Sequence, residues 1–207
     1  MIPAQEALQR LREGNRRFVS GTPSRSALPD HSRRTRLVKN QHPFAIILGC
    51  SDSRVPAEIV FDQGLGDLFV VRVAGNIAEP TQIGSVEFAA LQFHTRLVVV
   101  LGHSQCGAIL ATLEQLKRSV DSQSRNLGSI VEFIRPAVAA LLETEAAQDG
   151  EALLRQAVRA NVNASVKHLR SAEALAHLIE EDGLVVVGAE YSLETGTVAF
   201  FEDQEAG

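Results

Sequence analysis

Cysteine, tryptophan and long apolar stretches are scarce in this sequence of 207 residues. It contains two cysteines and no tryptophan. Two thiols in a chain of this size are too few for a disulfide framework, which excludes a fold held together by disulfides. In a reducing compartment such a pair is better explained by metal binding or catalysis. We therefore expect a cytoplasmic protein in which the cysteines have a chemical role.

No apolar run approaches the roughly 18 residues that a membrane-spanning helix needs, so no membrane partner is expected. The first 17 residues mix Glu and Arg with the apolar positions and lack the features of a secretory signal. A surplus of positive charge is also missing, because the formal net charge is -5 and the pI is about 5.7. This balance argues against a nucleic-acid partner. The one basic cluster, at 31–39, is interpreted as a solvated loop.

Hydrophobic residues make up 45% and charged residues 22% of the chain, which is typical of one globular domain, here residues 1–207. The spacing of apolar residues predicts an amphipathic helix at 4–20. Residues 24–42 are polar, basic and without a period, which indicates an arm or surface connection. We expect the helix and arm, residues 1–42, to pack on a partner subunit, with an α/β core at 43–207.

The core is predicted from apolar and β-branched runs that are separated by helical patterns. Four runs are apolar on both faces and predict buried strands at 44–48, 68–73, 97–101 and 184–188. A fifth run, 197–201, follows a Glu-Thr-Gly turn and is typical of a hairpin partner at a sheet edge. The alternation predicts an α/β fold with a mostly parallel sheet of four strands plus an edge strand, covered by helices on both sides.

Both cysteines lie in short polar segments, 49–54 and 103–106, that follow predicted core strands. Cys50 comes after the first strand and two residues before Asp52, whereas His103 and Cys106 come after the third strand. In parallel sheets ligands gather beyond the carboxyl ends of the strands, and Zn²⁺ takes tetrahedral sets of thiolate, imidazole and carboxylate ligands. We therefore interpret Cys50, Asp52, His103 and Cys106 as a zinc site.

Arg54 gives Asp52 a second partner. Its guanidinium is always charged and can hold the carboxylate in a bidentate pair, so Asp52 is predicted to alternate between the metal and Arg54. If Asp52 never leaves the metal, the site is closed and structural. Two other interpretations of the cysteines stay open. They are an inert or disulfide-bonded pair, or a nucleophilic Cys50 or Cys106 activated by His103.

With these motifs the sequence resembles the β-class carbonic anhydrases of bacterial type. The resemblance is carried by Cys-x-Asp-x-Arg at 50–54 and His-x-x-Cys at 103–106. Further matching positions lie between them, at Pro56-Ala57-Glu58, Phe61-Asp62, Gly66-Asp67-Leu68-Phe69-Val70, Arg72 and Gly75-Asn76. A looser similarity extends from the helix at 8–18 to the hairpin at 191–196, so nearly the whole chain is included.

The resemblance implies reversible hydration of CO₂ to bicarbonate and a proton by zinc-bound hydroxide, with one Zn²⁺ per chain. It implies that Cys50, His103 and Cys106 are fixed metal ligands and that Asp52 and Arg54 form a gating and catalytic dyad. It also implies a homodimer, or a tetramer built from two dimers, whose substrate pocket lies at the dimer interface.

Substrate contacts are implied at further positions. Gln41 matches the residue that donates to substrate oxygen. The pocket positions correspond to Phe69, Phe88, Ala74 and Gly107. Some members hold bicarbonate at a second site that locks the aspartate onto zinc, and Arg72 and Tyr191 match that site. A tryptophan of that site is replaced by Ile47 here, so the chain departs from the pattern at one position.

Three functions compete with CO₂ hydration on the sequence alone. The same zinc site would serve a hydrolase of a CO₂ analogue such as carbonyl sulfide or carbon disulfide. A non-catalytic zinc protein would keep Asp52 permanently on the metal. A thiol hydrolase would use a cysteine nucleophile and would stay active after zinc removal.

Overall fold

The computed structural model describes residues 2–24, 31–118 and 124–201. Within these residues five strands form one sheet. They are β1 (Ala45–Gly49), β2 (Leu68–Arg72), β3 (Leu97–His103), β4 (Val185–Tyr191) and β5 (Val198–Phe200). Their spatial order is β2-β1-β3-β4-β5, with the first four strands parallel and β5 antiparallel to β4. The predicted α/β fold with an antiparallel edge strand is confirmed.

The same part of the chain contains eight α-helices. They are α1 (Ala4–Val19), α2 (His31–Leu37), α3 (Ala57–Val60), α4 (Pro80–Gln92), α5 (Gly107–Arg118), α6 (Arg125–Val138), α7 (Gly150–Ser171) and α8 (Glu173–Glu181). A short 3₁₀ turn, Ala74–Asn76, follows β2. Across the described ranges, every helix is too short or too polar to span a bilayer.

The central strands β1 and β3 are buried over their whole length. Successive side chains of a strand point to opposite faces of the sheet. Ile46 and Leu48 of β1 therefore pack in an apolar cluster with residues of α4, α7 and α8, whereas Ile47 packs in another cluster with residues of α1. Because helices cover both faces, both faces must be apolar, which explains the continuous apolar runs in the sequence.

Helix α1 and the last strand are joined through the buried side chain of Asn15. Its Nδ2 donates to the carbonyl oxygens of Val60 (3.1 Å) and Gly196 (2.9 Å). Its Oδ1 accepts a hydrogen bond from the Val198 N–H (2.9 Å). One amide thus ties the N-terminal helix to α3 and to the hairpin that leads into β5.

Helix α7 lies against the sheet where two strands carry glycine. A Cβ on Gly102 of β3 would lie 2.5 Å from one methyl carbon of Val162. A Cβ on Gly188 of β4 would lie 2.9 Å from the second methyl carbon of Val162. Real Cβ atoms do not approach other atoms so closely. The two glycines therefore permit the close approach that fixes α7 on the sheet.

Helix α2 differs from the sequence prediction, which placed an aperiodic arm at 24–42. The helix has no buried residue. Without an apolar stripe, nothing in the hydrophobic pattern marks such a helix. Residues 25–30 of the arm lie outside the described residues, and the packing of residues 1–42 on a partner stays a prediction.

We expect Gly14→Ala to destabilise the fold, although alanine normally favours a helix. Gly14 lies within α1, where a Cβ would overlap the carbonyl oxygen of Phe61. Overpacking of this kind costs about 1–3 kcal/mol in the free energy of unfolding, measured by urea denaturation. The control is Gly150→Ala at the start of α7, where a Cβ meets nothing within 4 Å. That variant should gain about 0.4–1 kcal/mol, and equal effects of the two substitutions would contradict the packing.

Candidate metal centre

Three side chains able to bind a metal meet beyond the carboxyl ends of β1 and β3. Cys50 directly follows β1, His103 is the last residue of β3, and Cys106 directly precedes α5. These ends lie at one edge of the sheet because β1 and β3 are parallel neighbours. All three residues are buried, and their ligand atoms lie within 4.8 Å of one another. The structure thus brings together three of the four residues interpreted as ligands.

The imidazole of His103 is oriented by its neighbour. Its Nδ1 lies 2.9 Å from the carbonyl oxygen of Ser104, and a carbonyl can only accept, so Nδ1 carries the proton. Nε2 then has a free lone pair. This atom is buried and has no hydrogen-bond partner among the described residues. Such an arrangement is typical of a histidine that binds a metal through Nε2.

The two cysteines have opposite pKa shifts. A hydrogen bond from the Cys106 thiol lowers the pKa of Cys50 to about 4 against the effect of burial, and His103 and the Gly75 N–H lower it further. The bond to Cys50 and burial raise the pKa of Cys106. Burial lowers the pKa of His103, but the nearby charge of Cys50 and the hydrogen bond to the Ser104 carbonyl act in the other direction, and the net shift is upward. The site therefore stabilises a thiolate beside an imidazole.

This donor set fits Zn²⁺. Zinc is bound by thiolate sulfur and imidazole nitrogen, and a catalytic site has three protein ligands and one open position. Cys50, His103 and Cys106 supply two sulfurs and one nitrogen. The unpartnered Nε2 is explained if a cation accepts its lone pair, because a buried polar atom otherwise requires a hydrogen bond.

Asp52 lies beside these ligands but is held by Arg54. Nε and Nη2 of Arg54 donate to Oδ1 (2.9 Å) and Oδ2 (2.7 Å), and the Arg54 N–H donates to Oδ1 (2.9 Å). The bonds from the guanidinium hold the pKa of Asp52 well below its usual range. Asp52 Oδ2 is 4.0 Å from Nε2 of His103. Of the two arrangements predicted for Asp52, the structure has the one paired with Arg54.

Arg72 contacts the loop that carries Cys50 and Asp52. Its Nε donates to the carbonyl oxygen of Cys50 (3.0 Å) and its Nη2 to that of Asp52 (2.7 Å). Tyr191, its predicted partner in a second bicarbonate site, is buried on β4 with its ring 6.4 Å from that of Phe18. Strands β1 and β3 lie between β2 and β4. The second bicarbonate site stays a prediction.

The residues predicted to line the substrate pocket fall into two groups. Ala74 and Gly107 lie next to the metal-binding side chains. Gly107 follows Cys106 in the chain, and the turn that contains Ala74 contacts Cys50 through the Gly75 N–H. These two positions are therefore close to the centre within one chain.

Gln41, Phe69 and Phe88 lie near the other end of the sheet. Gln41 precedes β1 whereas Cys50 follows it, and a strand of five residues spans about 16 Å. Phe69 pairs with Ile46 near the start of β1, and its ring lies 6.3 Å from that of Phe88. Within one chain the structure does not bring this group to the metal-binding residues.

A polar network around Ser104 was missed by the sequence reasoning. Ser104 Oγ donates to Glu194 Oε2 (2.9 Å) and accepts from the Leu193 N–H (2.9 Å). The Ser104 N–H donates to the carbonyl oxygen of Tyr191 (2.9 Å). These bonds fix the carbonyl group that orients His103. The two side chains are 90 residues apart, so no local pattern connects them.

Thiolate and imidazole donors beyond the carboxyl ends of parallel strands define an α/β metalloprotein. A family model described as carbonic anhydrase matches residues 45–198. The chain belongs to the carbonic anhydrase family.

Similarity to named carbonic anhydrases supports this assignment. Carbonic anhydrase 2 of Mycobacterium tuberculosis is 39% identical over 192 residues, which is 92% of this chain and 89% of the relative. The solved β-carbonic anhydrase CcaA is 28% identical, with a TM-score of 0.75 over 97% of this chain and 93% of that one. One of two tetrameric β-carbonic anhydrases from Sordaria macrospora is 27% identical, with a TM-score of 0.71 over 84% and 87%. The predicted β class of bacterial type, and with it the reversible hydration of CO₂, is confirmed.

We expect one Zn²⁺ per chain in the purified protein and little in Cys106→Ser or His103→Ala. Each substitution removes a ligand from a set of three, which leaves too few donors for tight binding. Elemental analysis after dialysis against a weak chelator measures the content. His168→Ala, on the exposed side of α7, is the control and should keep its zinc. Wild-type zinc levels in both ligand variants would contradict the assignment.

Proposed function

We propose that Cys50, His103 and Cys106 hold one Zn²⁺ per chain and that CO₂ is hydrated there with Asp52 and Arg54 as a dyad. The observation that carries this proposal is the buried, unpartnered Nε2 of His103 beside a thiolate. Bound Zn²⁺ supplies a Lewis acid that lowers the pKa of a coordinated water toward neutrality. The two free cysteines favour a reducing compartment, which supports a cytoplasmic enzyme.

Asp52 serves as an oriented hydrogen-bond acceptor. Both of its oxygens accept bonds from Arg54, and Oδ2 lies 4.0 Å from Nε2 of His103. Because the pKa of Asp52 is held low, its carboxyl group carries no proton at neutral pH. It therefore accepts the hydrogen of the attacking oxygen nucleophile and turns a lone pair of that oxygen toward CO₂.

Arg54 opposes the movement of Asp52 onto the metal. That movement would break the bidentate pair, whose charge-assisted bonds are stronger than neutral ones. Arg54 Nη2 also donates to the carbonyl oxygen of Gln105 (3.3 Å), which links the two sequence motifs. The pairing counts against the alternative of a non-catalytic protein in which Asp52 is permanently ligated.

A second subunit completes the substrate pocket. Gln41 lines a cleft of about 810 Å³ together with Phe93, and the Phe93 ring lies 6.0 Å from Phe69 and 5.6 Å from Phe88. Phe88 is 52% exposed. Phe69 and Phe93 are partly buried, and an exposed aromatic ring beside them is typical of a surface that a partner covers. The relatives from Sordaria macrospora are tetrameric, which supports a homodimer or a tetramer here.

We expect Asp52→Asn to lower kcat/KM for CO₂ by about 10²–10⁴-fold, the usual contribution of a positioned acid or base, while zinc content stays at the wild-type level. Stopped-flow hydration across pH measures the loss. We also expect wild-type activity to rise toward alkaline pH. A carboxyl with a lowered pKa is already ionised above about pH 4, so this rise belongs to another group and should persist in the variant.

Asp182→Asn is the matched control, since that carboxylate pairs with Arg96 away from the centre. It should keep wild-type kcat/KM. Undiminished hydration by Asp52→Asn would refute the role of the dyad. Loss of zinc from that variant would instead make Asp52 a fixed ligand. Parallel assays with carbonyl sulfide and carbon disulfide decide whether CO₂ is the preferred substrate.

Mixed oligomers test the position of Gln41. Subunits with Gln41→Ala and subunits with Cys50→Ser should each be nearly inactive alone. If Gln41 acts across the interface, a mixed dimer contains one intact site, and equal mixing restores about a quarter of wild-type activity. If Gln41 acts within its own chain, every site in the mixture is damaged and activity stays at the level of the parents. Refolding the two chains together and separately provides the comparison.

A further inference from the structure

The turn Ala74–Asn76 contacts the sulfur of a metal ligand. The Gly75 N–H donates to Cys50 Sγ over 3.3 Å. Gly75 has φ 75° and Asn76 has φ 45°, so two successive residues are in the left-handed region. A Cβ on Gly75 would lie 2.9 Å from Ile134 and 3.3 Å from Ala108, so glycine is required at this position. A backbone conformation of this kind persists only where its surroundings hold it.

Two polar side chains of α7 hold this turn. Asn161 Nδ2 donates to the carbonyl oxygen of Gly75 (2.7 Å), and Ser165 Oγ donates to the carbonyl oxygen of Asn76 (3.0 Å). Asn161 is 2% exposed and Ser165 is 3% exposed. Residues four apart lie on one face of a helix, so one helical face supplies both bonds. Each bond joins residues more than 80 positions apart in the chain.

The position of α7 is fixed independently of these two bonds. Val162, next to Asn161, lies against Gly102 and Gly188 of the sheet so closely that neither glycine has space for a Cβ. The helix therefore cannot move toward the turn or away from it without losing this contact. Asn161 and Ser165 extend from a rigid support, which sets where the Gly75 N–H points.

A hydrogen bond to a thiolate changes the sulfur as a metal ligand. The N–H stabilises negative charge on the sulfur, and hydrogen bonds of this kind orient ligands and tune the metal that they bind. Both side chains are bonded to carbonyl oxygens of the turn, and apolar residues at these positions would leave those two carbonyls without these bonds. The two polar residues on α7 therefore hold the turn whose N–H is directed at the Cys50 sulfur.

We propose that Asn161 and Ser165 are positioning residues that act on Cys50 through the Gly75 N–H and set its strength as a metal ligand. The inference rests on the proposed function, because it takes Cys50 to be a ligand. Neither residue contacts the sulfur itself. Their effect passes through the two carbonyl groups of the turn, which they hold so that the N–H remains directed at Cys50.

Cobalt substitution and zinc competition test this proposal. In Asn161→Ala the turn is released, the N–H···S bond weakens, and the thiolate-to-cobalt charge-transfer band of the Co²⁺ protein should shift to longer wavelength. Zinc affinity, measured against a chromophoric chelator, should fall by about 10–100-fold, as it does when other groups that orient metal ligands are removed. Asn163→Ala is the matched control, since it changes the same residue type on the exposed side of the same helix.

Ser165→Ala removes only a hydroxyl group and serves as the second variant if Asn161→Ala does not fold. It should shift the band in the same direction, and Asn161→Gln, which keeps a donor, should recover part of the zinc affinity. If the variants lose thermal stability but keep the thiolate-to-cobalt band and the zinc affinity of the wild type, both residues have only a packing role. That result would overturn the proposal. Failure of the wild-type protein to show a thiolate band would instead overturn the proposed metal site.

Discussion

The parallel pairing of β1 with β3 is the constraint on which the centre depends. Gly49, the last residue of β1, lies opposite Leu101 in this register. Cys50, the next residue, therefore lies beside the last residues of β3, which ends at His103. A shift by one residue would turn every side chain of β1 to the opposite face and carry Cys50 away from the imidazole. Both faces of the two strands are closely packed, so such a shift would misplace every side chain of β1 against its neighbours. The apolar core and the ligand geometry are therefore specified by the same side chains.

Each ligand of the proposed site is restrained by a different part of the fold. Cys50 is fixed by the N–H of a 3₁₀ turn and by Arg72 on its carbonyl group. His103 is oriented by the carbonyl of Ser104. Cys106 directly precedes α5, and the backbone N–H groups of Ala108 and Ile109 at the start of that helix bond to its sulfur. Because these restraints come from separate elements of the fold, the protein itself limits where the ligands can lie, which lowers the conformational entropy lost on metal binding.

The sequence allowed the fold and the ligand set to be predicted, because both depend on local signals. A strand buried on both faces is a continuous apolar run, and Cys50, His103 and Cys106 lie directly after such runs. Helix α2 gave no signal because it buries nothing. Asn161 was hidden within an apolar stripe, and its bond to the turn joins residues 86 apart. Spacing along the chain does not reveal such a contact. It also does not reveal that Gln41 lies far from the metal-binding residues of its own chain.

The amide of Asn15 also affects the order in which the fold is completed. Its partner Val198 is 183 residues further along the chain. At a synthesis rate of about 5–20 residues per second, α1 leaves the ribosome on the order of 10 to 40 s before β5 exists. During that interval the amide lacks its partners Gly196 and Val198 and is best left in water, since burying it only partly bonded is unfavourable. Helix α1 is thus among the last elements of this domain to dock, and its amphipathic face stays exposed to chaperones until β5 has been synthesised.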